Sequence, residues 1–402
     1  MEHVEVVTET LKADAGEGKI ACLICSGMTH VMQKHLHEAH EDITLPQYMA
    51  LYPNTPIYSE RAKKALEERS QKVGANTVEP AILDTEDMGD FKIFKKHLHE
   101  VFKLGISKAA MSARGTPIPI QTFVVPDALS DLIFAVDPNY VWNIDLLKKV
   151  LLALEINMPC FLWGHAGTGK STAAMQATAA TGRPAMRIQH TANMEESHVL
   201  GQWIVQDGAT KFELGPLPYA MLHGLTYIAD EYDFALPQIL SVYQPVLEGN
   251  PLVIKEADHA NRVIKPHPAF RFIATGNTNG TGDDTGLYQG TRLQNAANFE
   301  RFGIVEEVKY PDKKIEIKLV SNQAYVDVEK AEIVVNYGNM IREAYSNNKI
   351  GAAISPRALI NACKIAKRLG SLRQGLTLAY INRLSRVDQE VAREVMMRYV
   401  AE

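Results

Sequence analysis

Cysteine is scarce in this chain, four in 402 residues, and two of the four sit three positions apart beside histidines. So few, so placed, exclude a disulfide framework and point to a reducing compartment and a metal. Long apolar runs are also missing. The most apolar stretch, "VLLALEINMPCFLW", is broken by Glu155, Asn157 and Pro159 and cannot span a bilayer. The opening "MEHVEVVTET" is acidic and has no apolar core, which excludes a secretory signal. There is no basic excess: 42 Lys and Arg face 47 Asp and Glu, a net charge of -5, so the chain lacks a global footprint for nucleic acid. Internal repeats and low-complexity tracts are absent. These absences together imply a cytoplasmic protein with no membrane segment. What is present is the composition of a globular protein, 46% hydrophobic and 22% charged, over a length that calls for two or three domains.

Composition divides the chain. Residues 1–59 hold the Cys/His cluster. Residues 60–120 begin with "ERAKKALEERSQK", end near "SARGTPIPI", and read as a charged helical tether followed by a linker. Residues 121–310 alternate apolar strands with helical patterns, which predicts an α/β core with a parallel sheet. Residues 311–402 contain only helix-like runs, among them "KIEIKLVSNQAY", "KAEIVVNYGNMIREAY" and "SPRALINACKIAKRLG".

One stretch carries strong chemistry. "FLWGHAGTGKSTAAM" fits G-x-x-x-x-G-K-[ST] with Gly164, Gly169, Lys170 and Ser171 in the required places. The apolar Cys160–Trp163 predicts a buried strand and the Ala-rich run from Ser171 a helix. The loop Gly164, His165, Ala166, Gly167, Thr168, Gly169, followed by Lys170, Ser171 and Thr172, is therefore a candidate phosphate cradle. Its backbone N–H groups close around phosphate oxygens at the positive end of a helix. Lys170 neutralises the outer phosphates and the Ser171 hydroxyl binds magnesium.

Two later strand ends complete the pattern. In "LTYIADEYDFA" an apolar strand ends in Asp230 and Glu231, at the carboxyl edge where open α/β sheets bind ligands. Asp230 is placed to hold magnesium through water, and Glu231 to orient or deprotonate the attacking water. In "AFRFIATGNTNG" another strand ends in Asn277, whose amide can sense the outermost phosphate. Arg301 in "NAANFERFGIVEEV" and Arg357 in "ISPRAL" are the candidate phosphate-facing arginines, one supplied across a subunit boundary and one from a lid. Arg292 lies near Arg301 and competes for the first role; Arg301 is preferred because it abuts the next strand.

This ordered set, a phosphate loop, two polar strand ends, "ERF" and "SPRAL" before a helical unit, resembles AAA+ ATPases of the MoxR group. "DPNYVWNIDLL", "DEYDFALPQIL", "VIKPHPAFRFIATGNT" and "GDDTGLYQGT" look like the ATPase subunit of aerobic cobaltochelatase. The resemblance runs from about Val125 to the C-terminus. It implies an α/β P-loop AAA+ core with a five-stranded parallel sheet, a C-terminal helical lid, and assembly as a hexameric ring that binds ATP and Mg2+ between subunits. By that resemblance Lys170, Ser171 and Asp230 serve phosphate and magnesium, Glu231 activates water, Asn277 is a sensor, Arg301 the trans finger and Arg357 the lid sensor. It also implies hairpins at "GQWIVQDGATKFELGPL" and "GNPLVIKEADHANRVIKPHP", and two partners: a von Willebrand A domain subunit and a large tetrapyrrole-binding chelatase subunit. The activity implied is ATP-driven remodelling for cobalt insertion. The alternatives are a MoxR-type chaperone acting on another von Willebrand A protein, and an ATP-switched nucleic-acid-binding regulator.

The N-terminal region falls outside that resemblance. Cys22, Cys25, His35 and His40 are spaced C-x2-C-x9-H-x4-H, two thiolates from a tight turn and two imidazoles from a helix, a set suited to tetrahedral Zn2+. His30 and His37 are further histidines in the same stretch. With the following "DITLPQYMALYPNTPIYSE" the region resembles the Ros/MucR zinc-finger type, which binds DNA. Here Lys34 is outnumbered by Glu38, Glu41 and Asp42, so there is little attraction for phosphate and a protein-docking or structural module is expected.

Overall fold

The apolar runs that end in Trp163, Asp230 and Gly276 lie side by side in one parallel sheet. The computed structural model describes residues 18–40, 43, 45–53, 55–64, 88–105, 107–283, 288 and 290–400. Its central sheet has five strands: β1 (Cys160–Trp163), β2 (Ala185–Gln189), β3 (Thr226–Asp230), β4 (Arg271–Gly276) and β5 (Ile304–Glu307), in the order β5-β1-β4-β3-β2. Every pair is parallel. β3 and β4 are buried at every position, so their middles, residues 227–229 and 272–274, run apolar without alternation. The edge strands β2 and β5 alternate between covered and open positions, which is why they carry Arg187, Glu306 and Glu307.

Helices α1 (Ile144–Glu155) and α2 (Lys170–Thr181) cover the sheet. α1 starts where Asn143 accepts a bond from the Leu146 amide, and buries Leu147, Val150 and Leu154. α2 packs through Ala173, Ala174 and Ala177, whose small side chains let the helix lie close to β1 and β3. The consequence is positional: the loop between β1 and α2 is held at the carboxyl edge of the sheet, beside the ends of β3 and β4.

The remainder of this part is helical: α3 (Lys313–Ala324), α4 (Val328–Ser346), α5 (Pro356–Leu369), α6 (Leu372–Ala379) and α7 (Arg386–Tyr399) around a core that includes Val334, Tyr337, Leu359 and Leu376. Ser355, Ser371 and Ser385 each cap a helix by accepting from the amide three residues on. α6 is a helix that the sequence runs did not indicate. Its start is marked by Gly370, in the left-handed conformation that ends α5, followed directly by the Ser371 cap.

The stretch read as tether and linker is different in part. Residues 65–87 lie outside the described residues. Lys92–His97, however, pairs antiparallel with Pro119–Val124, Ile93 facing Phe123, so the folded core begins by Met88 rather than at 121. Charge hid this strand: Lys92, Lys95 and Lys96 are open to solvent while Ile93 alone is fully covered. Both implied hairpins are present, Gly201–Gln206 with Ala209–Leu214 and the short Leu252–Val253 with Val263–Ile264.

The chain divides into two compact units, Met1–Ala81 and Ile82–Glu402. In the first, strands Ile20–Ala21 and Met28–Thr29 precede helices Met32–Ala39 and Leu45–Leu51. Among the described residues its fully covered apolar side chains are Cys22, Met32, Leu36 and Tyr48, a set too small to hold a fold by apolar burial alone. Among the described residues no helix is long and apolar enough to cross a membrane.

Candidate nucleotide site and metal centre

Residues from three strand ends meet at the start of α2. Gly169 has φ 92° and no side chain caps the helix, so the first-turn amides of α2 are left without intrahelical partners. That is the condition for receiving an anion. The Lys170 ammonium turns back onto the loop, donating to the carbonyls of Gly164 (2.6 Å) and His165 (3.0 Å) and to Asn277 Oδ1 (3.3 Å). Burial pulls its pKa down to about 8, against the opposing pull of Asp233, Glu231 and Asp230. A buried ammonium amid carboxylates, whose acceptors among the described residues are all neutral, suits a polyphosphate.

The next residue, Ser171, donates to Asp230, as does Thr275. Despite burial, these hydroxyls and Arg187 hold the Asp230 carboxyl below its usual range. A hydroxyl and an ionised carboxylate side by side are hard oxygen donors, a set that fits Mg2+. Glu231 leaves β3 with φ 53°, a left-handed backbone that side chains rarely adopt. Its carboxyl is pushed up by burial first, then by the charges of Asp230 and Asp233.

The helical lid reaches the same loop. Ser355 and Arg357 lie over Gly167, where an added Cβ would come within 2.7 Å of Ser355 Cβ and 3.8 Å of Arg357 Cβ. With φ +79°, Gly167 is thus required both by its backbone and by the lid's approach. Arg357 is near enough for its charge to depress the Lys170 pKa. Between lid and loop lies a cavity of about 220 Å3 whose lining includes Tyr140, Val141, Thr168, Thr172, Ile315 and Ile360. A larger cavity, about 720 Å3, shares Tyr140 and Val141 but is lined by no phosphate-loop residue.

Arg301 is not part of this cluster. It donates to Glu248 Oε1 (2.6 Å) and to the Ala297 carbonyl of its own chain. Arg292 is exposed, and its backbone amide bonds the Asp233 carbonyl.

Four residues enter the site that the sequence reading did not name. Asp233 Oδ2 accepts from the amides of Asn277 and Thr278 (both 2.8 Å) and from Thr278 Oγ1 (2.9 Å), so it fixes the end of β4. Thr275 bonds Asp230, and Arg187 grips the same carboxylate with Nε and Nη2. Tyr288 Oη accepts from the Ala166 amide (3.0 Å) and shares a hydrogen bond with His165 Nδ1 (3.0 Å). Asp233 had a signal, a third acid two residues beyond Glu231; the other three depend on long-range contacts.

Two comparisons of sequence match this geometry. Residues 159–292 fit the AAA domain of the dynein-related subfamily. Residues 316–402 fit the CbbQ/NirQ/NorQ C-terminal family. The aerobic cobaltochelatase subunit CobS of Sinorhizobium sp is 31% identical over 65% of this chain and 81% of that protein. The chain belongs to the AAA+ ATPases of the CbbQ/NorQ/MoxR type. The protein NorQ of Paracoccus denitrificans is 24% identical to this ATPase over 64% of its chain and 92% of NorQ. Among solved structures, the Thermotoga maritima RuvB P216G mutant shares 15% identity at a TM-score of 0.39, over 64% of this chain and 71% of that one.

The N-terminal unit of this ATPase brings its four sequence-marked ligands together. The donor atoms of Cys22, Cys25, His35 and His40 all lie within 4.8 Å of one another. Cys25 Sγ is 3.1 Å from His35 Nε2, and Cys22 Sγ is 3.7 Å from His40 Nε2. Tetrahedral Zn2+ places such ligand atoms ~3.3–3.8 Å apart, so the donor set fits the ion. Gly27 is needed at the turn, since a Cβ there would meet His35 Cε1 at 2.7 Å. His30 is engaged elsewhere, Nδ1 bonding Ser59 Oγ at 2.8 Å. The side chain of His37, with Glu41 and Asp42, lies outside the described residues. Lys34 is 3.8 Å from Glu38, so the basic group on this helix is already faced by an acid.

Proposed function

We propose that this AAA+ ATPase works as a ring of identical chains, hexameric as in the family it resembles, and that ATP hydrolysis there drives remodelling of a partner for cobalt insertion into a corrin. The observation that carries the chelatase reading is the likeness to CobS along 81% of that subunit's length. The partners that follow are a von Willebrand A domain subunit and a large chelatase subunit that holds the tetrapyrrole.

In this reading the amides between Gly164 and Thr172 hold the β- and γ-phosphates, with Lys170 against their outer oxygens. Ser171 and Asp230 would hold Mg2+, which supplies positive charge against the phosphates when bound. Glu231 takes the proton of the attacking water, its raised pKa bringing it closer to the working pH of a general base. Asn277, fixed through its amide by Asp233, positions that water and the γ-phosphate. Arg357 closes the lid onto the nucleotide. Arg301 leaves Glu248 and meets the phosphates of the neighbouring chain, where its charge acts on the transition state. Cys22, Cys25, His35 and His40 would hold Zn2+, which supplies folding energy to a unit whose described residues form a very small core.

The experiment is reconstitution. The purified chain is mixed with ATP, cobalt, a metal-free corrin, a von Willebrand A partner and a large chelatase subunit, and cobalt incorporation is followed by the corrin's visible spectrum. Incorporation that stops when this chain is replaced by Lys170→Ala supports the reading. Full incorporation without this chain refutes it. A second reading, a chaperone ATPase acting on a different von Willebrand A protein, is favoured by the NorQ likeness over 92% of that protein. It predicts ATPase stimulation by the von Willebrand A protein alone, with no corrin chemistry.

A further inference from the structure

Asp230 is saturated with donors. Ser171 Oγ and Thr275 Oγ1 donate to Oδ1, while Arg187 donates to Oδ2 from Nε, at 2.7 Å, and from Nη2. A carboxylate offers about four lone-pair sites, and all are taken. The two partners of this ion pair differ in their surroundings. The Asp230 side chain is 3% exposed and the Arg187 side chain 41%. Arg187 stands on β2, an edge strand of the sheet, so its guanidinium is able to turn into solvent without opening the core.

Mg2+ keeps several of its waters when it binds, and those waters need acceptors. Asp230 is the carboxylate in contact with the Ser171 hydroxyl, and its Oδ2 is the oxygen that Arg187 covers. Oδ1 already accepts from both Ser171 and Thr275, so the oxygen left for a water of Mg2+ beside Ser171 is Oδ2, the one that Arg187 covers. Two cations at one oxygen repel strongly where the dielectric is low, and Arg187 is the one free to leave.

We infer that Arg187 is an internal cation that keeps the place of Mg2+ at Asp230, neutralising the buried carboxylate while the metal is away and yielding it when the metal binds. The inference rests on the nucleotide-site reading above. Its consequence has two opposite signs. Without metal, nucleotide phosphates meet an Asp230 whose charge Arg187 has cancelled, so Arg187 assists metal-free binding. With metal, Arg187 is a competitor, so it raises the Mg2+ concentration that the site requires.

The test is calorimetric binding of ADP to the full chain, in EDTA and across a series of free Mg2+ concentrations. Loss of one charge-assisted contact corresponds to about tenfold in each equilibrium. Arg187→Ala is therefore expected to raise the Kd for ADP in EDTA about tenfold, and to lower the free Mg2+ at half-effect by a similar factor. Arg187→Gln, which keeps a donor but no charge, should follow Arg187→Ala. Arg187→Lys, which keeps the charge, should stay within about threefold of the wild type in both measurements. Two values that move in the same direction would indicate general damage to the site and overturn the inference. Unchanged values in Arg187→Ala would overturn it as well. Failure of the wild-type chain to bind ADP even with Mg2+ would overturn the nucleotide-site reading itself, a result distinct from normal ADP binding with an unshifted Mg2+ dependence.

Discussion

Replacing Asp233 with alanine removes the group that holds the end of β4 in place. The carboxylate is fully buried, and its Oδ2 accepts three bonds, from the amides of Asn277 and Thr278 and from Thr278 Oγ1. Burial raises its pKa in spite of those bonds, so the anion is held at some cost and its removal recovers part of that cost. The two amides left behind matter more. An orphaned buried polar group costs about 1–3 kcal/mol, so two amides with a hydroxyl able to rotate away amount to about 2–5 kcal/mol. Asp233→Asn keeps an acceptor oxygen in the same place and should lose only about 1 kcal/mol. The functional consequence follows from the same bonds, since the Asn277 amide is one of the three donors. If the Asn277 side chain moves with its backbone, transition-state stabilisation falls, at tenfold in rate for about 1.4 kcal/mol. Thermal unfolding and steady-state phosphate release on both variants check this. Asp233→Ala should melt several degrees lower and hydrolyse ATP at least about tenfold more slowly, with Asp233→Asn between it and the wild type. An Asp233→Ala variant that melts within a degree of the wild type and hydrolyses at its rate would refute the reasoning.

Lys170→Ala should lose nucleotide binding, whereas Glu231→Gln should bind ATP and fail to hydrolyse it, because the shape stays and the base goes; nucleotide titration and phosphate release on the two variants separate these outcomes. Gly167→Ala places a Cβ 2.7 Å from Ser355 Cβ at a backbone φ of +79°, so lid and loop must part; ATP affinity should fall about tenfold or more, measured by calorimetry. The N-terminal unit should carry one Zn2+ per chain, lost in Cys22→Ser or His40→Ala, with ATP hydrolysis retained; metal analysis and phosphate release on the same preparations check both halves.

Much of the site is written in local sequence because its chemistry is local. The phosphate loop must be one short segment between a strand and a helix, so Gly164 to Thr172 stand together in the sequence as they do in space. Asp230 and Asn277 are legible because each ends a strand buried on both faces, and an unbroken apolar run that stops at a polar residue is hard to mistake. The parallel sheet follows from the same pattern, whereas its five strands and the AAA+ fold are implied by the family resemblance. The strand Lys92–His97 was not legible, because on an edge hairpin its lysines face water and imitate a solvated tether. Arg187 lies in the strand "AMRIQ", where nothing local tells that its guanidinium reaches 43 residues ahead to Asp230. Tyr288 meets the phosphate loop across more than a hundred residues, and no periodicity encodes such a contact. The Cys/His spacing is readable for the opposite reason: a metal site in a small unit must draw its ligands from one short stretch.

The most direct test of the account is whether the nucleotide site is shared between chains. Arg301 is held by Glu248 within its own chain and takes no part in the cluster around Lys170. In the proposed ring it acts on the neighbour's phosphates. Arg301→Ala should therefore bind ATP almost normally and hydrolyse it slowly, and Glu231→Gln should likewise bind without hydrolysing. In rings that mix the two, some interfaces pair an intact Glu231 with an intact Arg301. Titration of one inactive variant into the other, followed by phosphate release, should recover activity that rises and falls with the mixing ratio. Confirmed mixed rings that recover none at any ratio would contradict a site built by two chains.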